Sequence, residues 1–171
     1  MAHPPVVIVD EQDNVVGAEM VDVAWKKGLY HRIVRIMVED EQGRILLQKR
    51  TANMDLYPNC WDHSAAGHVD EGDGYEIAAK RELHEELGLG TAPLEEIATY
   101  RTNGEYRGRV LNRFNRLYRA RVPADTQFQV EPDEVSEVRW FTLAEIRQLL
   151  AEHPEQCTDG LTQVIGEYYS A

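Results

Sequence analysis

Glu82, Glu85 and Glu86 stand at i, i+3 and i+4. At about 3.6 residues per turn, that spacing puts all three carboxylates on one side of a helix. Like charges so placed repel, which leaves two readings of the pattern. One is a solvated acidic face. The other is a site for a hard divalent cation, because Mg²⁺ takes oxygen ligands and keeps several waters for substrate phosphates. Spacing alone leaves both open. The approach to the helix favours the second. Gly67-His68-Val69-Asp70-Glu71-Gly72-Asp73-Gly74 is glycine-rich, and such a segment lets backbone carbonyls come close to a metal. Arg81 lies four residues before Glu85 and can pair with it.

These residues need a helix, and the sequence supplies one over 74–88. Ile77, Leu83 and Leu87 form a broad apolar side, and Gly88 stops it. Upstream, Val6–Val9 and Val15-Val16 flank Asp10-Glu11-Gln12-Asp13-Asn14, a strand–turn–strand pattern. Residues 19–28 predict a short helix ending at Gly28. The apolar runs 33–39 and 44–50 surround Asp40-Glu41-Gln42-Gly43, a hairpin signal. Residues 51–66 predict a loop and a short strand. Strands follow near 94–102 and 109–122, with Thr102-Asn103-Gly104 as the expected connection. Another strand covers 135–141. Thr142-Leu143-Ala144-Glu145 is a capping box that opens a helix to about Glu152, and a last helix is expected from Gly160 to Tyr169. Strands and helices alternate without a strict βαβ repeat, so the expected class is α/β in the α+β sense, a mixed sheet packed between helices.

The chain has 171 residues, 43% apolar and 28% charged, enough for one domain with a full core. A net charge of −12 argues against a general nucleic-acid binder. It leaves room for a small anionic substrate, since a bound divalent ion reverses the local field. No apolar run approaches the roughly 20 residues of a membrane span, and Met1-Ala2-His3-Pro4-Pro5 lacks the features of a signal peptide. Cys60 and Cys157 read as two reduced thiols of a cytoplasmic protein. The arginines between 101 and 121 face only Glu105 within that stretch. Most read as a solvated strand face, with one or two available to phosphates.

The run Gly67, five residues, Asp73, seven residues, Arg81-Glu82-Leu83-His84-Glu85-Glu86-Leu87-Gly88-Leu89 resembles the Nudix box, Gly-x5-Glu-x7-Arg-Glu-U-x-Glu-Glu-x-Gly-U with U aliphatic. Asp73 stands where the family has Glu. The strand ending at Lys49-Arg50 and the stretch Glu131–Phe141 are also similar, so the resemblance covers about residues 30–152. It implies a Nudix-like α/β/α sandwich over 30–167, with residues 1–29 as an extension packed on it. It implies Mg²⁺, or Mn²⁺, held by Glu82, Glu85, Glu86 and the Gly67 carbonyl, with Arg81 orienting the glutamates. Glu82, Glu86 and Glu134 are all candidates to activate water. Arg50 and His68 are candidates to bind substrate; each also has a plain structural reading, Arg50 as a solvated strand end and His68 as a hydrogen-bonding group of the fold. The implied reaction is Mg²⁺-dependent hydrolysis of a diphosphate linkage in a nucleoside di- or triphosphate, or in a nucleoside diphosphate derivative. The implied partner is a small nucleotide, with no nucleic acid and no membrane, for a monomer or homodimer. Asp73 puts in doubt any contact made by the longer Glu; its other reading is a helix N-terminal residue favoured by the dipole.

The segment Tyr57–Gly72, with His31, His68 and Asp133-Glu134-Val135, also resembles isopentenyl-diphosphate isomerase, a Nudix relative. That enzyme needs a cysteine directly before the glycine of the box, and here the position is Ala66. Cys60 is out of register for the role. An isomerase-like activity, with His31 and His68 as metal ligands, and a non-catalytic nucleotide-binding module are therefore the alternatives.

Overall fold

The computed structural model describes residues 3–169. β1 (Val6–Val9) and β2 (Val15–Glu19) form a hairpin, followed by α1 (Val21–Lys27). β3 (His31–Glu39) and β4 (Ile45–Arg50) form the second hairpin. Its turn is held by Asp40, whose carboxylate accepts the backbone N–H groups of Gln42 and Arg44. β5 (Trp61–Asp62) and β6 (Ala65–His68) lead into α2 (Tyr75–Leu87). β7 (Glu95–Tyr106), β8 (Arg109–Arg121), β9 (Val135–Phe141), α3 (Leu143–Glu152) and α4 (Asp159–Tyr168) complete the order. The Thr142–Glu145 capping box is fully formed at α3, and Thr158 caps α4 through Leu161 N–H.

The β7–β8 turn falls later than expected. Thr102, Asn103 and Gly104 lie inside β7, and Tyr106 pairs with Arg109. The two turn residues are Arg107 and Gly108, with φ of 47° and 81°. A two-residue turn with both central φ angles positive matches the right-handed twist of the strands, so it outcompetes the Asn-Gly pair upstream.

All nine strands join one mixed sheet. β3 runs parallel to β8 from His31↔Arg113 to Glu39↔Arg121, while its other pairings are antiparallel. β3 and β4 pair directly only at Val38↔Leu46 and Glu39↔Ile45. Beyond that they diverge: β3 takes β6 as partner, and β4 takes β5 and β9. The sheet splits between them, and a cleft opens at the split.

Alternation on the strands builds two apolar layers. Val34, Ile36, Val38 and Leu46 pack with Ala78, Ala79, Leu83 and Leu87 of α2 on one side. Met37, Ile45, Leu47 and Leu117 pack with Ile146 of α3 and Leu161, Val164 and Ile165 of α4 on the other. This is the expected helix–sheet–helix sandwich. Within α2 the apolar stripe differs from expectation. Ile77 is 60% exposed, and Tyr75, Ala78 and Ala79 are buried in its place. The small alanines let the helix approach the sheet more closely than a stripe centred on Ile77 would.

The N-terminal hairpin extends the same sheet, with Ile8 opposite His31. Trp25 of α1 packs with Leu56 and Leu111, so α1 forms part of the cleft wall.

Candidate functional site

The cleft at the split has a volume of about 810 Å³ and brings Arg50, Ala66, Gly67, His68, Glu82, Glu86 and Glu134 together. Each is placed by a short local argument. α2 turns Glu82 and Glu86, four residues apart, toward β6, and both are buried. Burying Leu83 and Leu87 stabilises that orientation by roughly 1.5–3 kcal/mol each. An i,i+4 like-charge repulsion costs only a few tenths. Glu85 does not share this burial; it lines the outer part of the cleft and is exposed. The three glutamates therefore split into a buried pair and a rim member.

Glu86 is held firmly. Its Oε2 accepts from Gln48 Nε2 at 2.9 Å and from the Ala66 backbone N–H at 3.0 Å. Gln48 was legible as a polar residue on the same side of its strand as Leu46, but no motif marked it. Glu82 lies against Gly67. A Cβ on Gly67 would overlap the Glu82 carboxyl group, so glycine is required there by close approach.

Burial pushes the Glu82 carboxyl up to about 8, and Glu85, Glu134 and Asp70 push the same way against Arg81. Burial also raises Glu86 well above the carboxylate range, reinforced by Glu82 and Glu134. A cation beside such a pair would favour its charged form. Glu82 and Glu86 bring hard oxygen donors to the cleft wall next to the Gly67 backbone, the donor type that Mg²⁺ takes through one or two carboxylates while keeping other positions open. The donor set thus fits a divalent ion at Glu82 and Glu86, with Glu85 and Gly67 alongside.

Stability should follow these carboxyls. The folded-state value of Glu82 lies above its ordinary value of 4.5. Its contribution is therefore fully present below about 4.5 and is lost as pH rises through about 8. The buried imidazoles of His31, His63 and His68 lie below the ordinary range, so they oppose this loss slightly near pH 7 and little above it. EDTA-treated protein should lose on the order of 1 kcal/mol between pH 7 and 9. Mg²⁺ should raise the melting temperature more at pH 9 than at pH 7, and Glu82→Gln should flatten the profile. Urea unfolding at both pH values checks it; no loss of stability would contradict a raised carboxyl in the folded chain.

Arg81 does not reach Glu85. It donates to Asp73 and to the His68 carbonyl, the latter at 2.9 Å, and lies 3.3 Å from Asp70 and 3.6 Å from Glu82. The loop before α2 folds back over Arg81 and supplies closer carboxylates than Glu85. Asp73 accordingly does not cap the helix, whose N-cap is Gly74; it anchors Arg81. Glu134 sits on the loop before β9. Its carbonyl accepts Thr51 N–H at 3.0 Å, and Thr51 Oγ1 donates to Asp133 O at 2.8 Å. Burial, Glu131 and Glu85 raise its carboxyl, with Arg50 opposing.

Arg50 donates from Nε to Leu56 O at 2.8 Å and from Nη1 to Asp62 at 3.0 Å. It holds the 51–60 loop and still borders the cleft. His68 places its ring 5.5 Å from His31 and 6.1 Å from Trp25, and its Nε2 has no partner. His31 Nδ1–H donates to Leu29 O at 3.0 Å, because a carbonyl oxygen can only accept. Burial and the Arg113 charge push His31 down to about 4 and hold His68 well below 6.5. A guanidinium beside two imidazoles opposes a cation there, which weakens the reading of these histidines as metal ligands. Arg116 and Arg119 are paired by Glu96 and Glu39 on neighbouring strands, carboxylates that the local sequence window did not contain. Cys60 and Cys157 are free and buried, and burial raises both thiols. No helix among the described residues is long and apolar enough to cross a membrane.

Comparison with known proteins matches residues 29–159 to the NUDIX domain. An isopentenyl-diphosphate delta-isomerase of Nocardia farcinica is 35% identical over 164 residues, 94% of this chain and 92% of that protein. An uncharacterized Nudix hydrolase of Streptomyces coelicolor is 35% identical over 158 residues, 91% of this chain and 83% of that protein. The crystal structure of DR0079 from Deinococcus radiodurans superposes with a TM-score of 0.81 at 26% identity, covering 97% of this chain and 99% of that one.

Proposed function

This chain belongs to the Nudix family, and from that premise we propose that it is a divalent-metal-dependent pyrophosphohydrolase of the cytoplasm. Its substrate is a nucleoside di- or triphosphate, or a nucleoside diphosphate derivative. The observation that carries the reading is the buried Glu82–Glu86 pair packed on Gly67, whose negative charge Arg81 approaches only at Glu82 and at 3.6 Å. Glu82, Glu85, Glu86 and the Gly67 carbonyl would hold Mg²⁺ or Mn²⁺. When bound, the ion supplies neutralisation of the charge that develops on the attacked phosphoryl group.

The chain's own residues do the rest. Gln48 and the Ala66 N–H fix one oxygen of Glu86, and the carboxyl borders the cleft beside Glu134. Arg81 ties the approach loop to α2 through His68 O and Asp70 and lies beside Glu82. Glu134, beside Glu86 and with its carboxyl raised, is poised to take the proton of the attacking water; Glu82 and Glu86 are the other candidates. Arg50 and His68 border the cleft where substrate phosphates would enter.

Identity to an isomerase favours a second reading, proton transfer on a prenyl diphosphate. Against it, Ala66 lines the cleft with a methyl group where that chemistry needs an acid–base side chain. Deuterium uptake into isopentenyl diphosphate would revive it. The direct test is a panel of nucleotides, nucleotide sugars and dinucleoside polyphosphates with Mg²⁺ or Mn²⁺. Metal-dependent release of phosphate or of a monophosphate is expected. Binding without turnover across the panel would instead mark a non-catalytic module.

A further inference from the structure

The glutamate end of the cleft has a counterpart of opposite sign. Arg113 lies on β8, opposite His31 of β3, and its side chain borders the cleft. Among the described residues it makes no hydrogen bond and no ion pair, and its Nε is buried without a partner. Arg35 of β3 lies on the same side of the sheet, buried, and donates from Nε to Asn115 Oδ1 at 3.0 Å. Its Nη1 is 3.5 Å from His63 Nδ1. That nitrogen is only 2.7 Å from Asp62 Oδ1, so it carries its hydrogen toward Asp62 and cannot accept from Arg35. Among the described residues no carboxylate lies within ion-pair distance of Arg35.

Charge counting sharpens the point. Arg35, Arg50 and Arg113 cluster around one buried carboxylate, Asp62. Asp62 is already occupied by Arg50, by the backbone and ring N–H groups of His63, and by the Thr158 hydroxyl. Asp159 at the rim accepts from Tyr57 Oη at 2.6 Å. Burial and the charges of Arg35 and Arg50 bring Arg113 down to about 9. Two guanidiniums that line one cleft without a carboxylate of their own are stabilised when an anion joins them. Gly160, at the first turn of α4, marks how closely the site is built: a Cβ there would lie 3.0 Å from Arg35 Nη1 and 3.2 Å from the His63 ring. The charges around this cluster are not those around Glu82, which are Arg81, Glu85, Glu134 and Asp70.

We propose that Arg113, together with Arg35 seated against Gly160, forms a second anion site of the cleft that binds a phosphoryl group other than the one undergoing cleavage. Two parallel N–H donors on a planar guanidinium match phosphate oxygens better than an ammonium does. The site takes either a non-scissile phosphate of the substrate or released orthophosphate. The inference rests on the diphosphate-hydrolase reading of the cleft, but its test needs no metal and no turnover, so the two can fail separately.

Orthophosphate is titrated calorimetrically into the full chain in EDTA. Saturable binding is expected for the wild type and for Glu86→Gln, at least about 10-fold weaker for Arg113→Gln and for Arg35→Gln. Arg113→Gln should fold as well as the wild type, because it removes an unpaired charge. Should it not fold, Gly160→Ala, which displaces the Arg35 guanidinium, must show the same weakening. Equal affinity in wild type and variants, or no wild-type binding at millimolar phosphate, overturns the site. A second arm separates the sources. Competitive inhibition by orthophosphate that Arg113→Gln abolishes identifies the released ion. A preference between paired dinucleotides differing by one phosphomonoester, lost in Arg113→Gln, identifies the substrate's own group.

Discussion

Glu86→Gln is expected to lower kcat/KM on a confirmed substrate by on the order of 10³-fold, while the metal-free protein becomes more stable. The two halves have one cause. Glu86 is buried with its carboxyl well above the ordinary range, because burial and the neighbouring Glu82 and Glu134 oppose its charge. The amide is isosteric, and its oxygen can accept the same Gln48 and Ala66 donors that now hold Oε2. The scaffold should therefore survive, and replacing a carboxyl whose charged form burial disfavours should relieve it. Activity should collapse because the amide no longer draws a divalent ion into the site. A kinetic assay beside a thermal melt in EDTA distinguishes this from misfolding. Wild-type turnover by Glu86→Gln would remove Glu86 from the site. A loss of activity with a matching loss of stability would assign it a scaffolding role instead.

Gly67→Ala is the second large effect, and it acts through shape alone. The added methyl falls on the Glu82 carboxyl group. β6 is paired to β3 from Ile33↔His68 to Ile36↔Ala65, so the backbone cannot easily withdraw. Glu82 must swing away. Overpacking of this kind costs typically about 1–3 kcal/mol, and a misplaced ligand costs on the order of 10²-fold in kcat/KM. The melting temperature should fall in this variant, opposite to Glu86→Gln. Restoring space with Gly67→Ala/Glu82→Asp should recover stability more than activity, because the shorter acid clears the methyl but no longer reaches its place. Unchanged kinetics in Gly67→Ala would show that Glu82 need not occupy its present position during turnover.

Much of this was legible along the chain. Local rules sufficed for α2, for the β3–β4 turn built on Asp40, and for the capping box of α3, because each is stabilised by residues within a few positions. The β7–β8 turn was misplaced because two turn-capable dipeptides compete, and strand twist chooses between them. Ile77 was misassigned because an amphipathic pattern gives a stripe only to within a residue or so, while packing on the sheet selects the alanines.

The site divides along the same line. The spacing of Glu82, Glu85 and Glu86 and the box from Gly67 to Leu89 belong to the sequence, because one helix and its approach loop carry them. The unequal burial of those glutamates does not, since it depends on where β6 and Gln48 lie. Nor does the partner of Arg81, which the returning loop supplies as Asp73 in place of Glu85. The arginines show the largest gap. In sequence, Arg113, Arg116 and Arg119 look alike, at intervals of three in one strand. Tertiary structure gives Arg116 and Arg119 carboxylates from adjacent strands and, among the described residues, pairs Arg113 with none. Charge compensation is a property of distance in space, and β3, β7 and β8 set that distance only when the sheet is assembled.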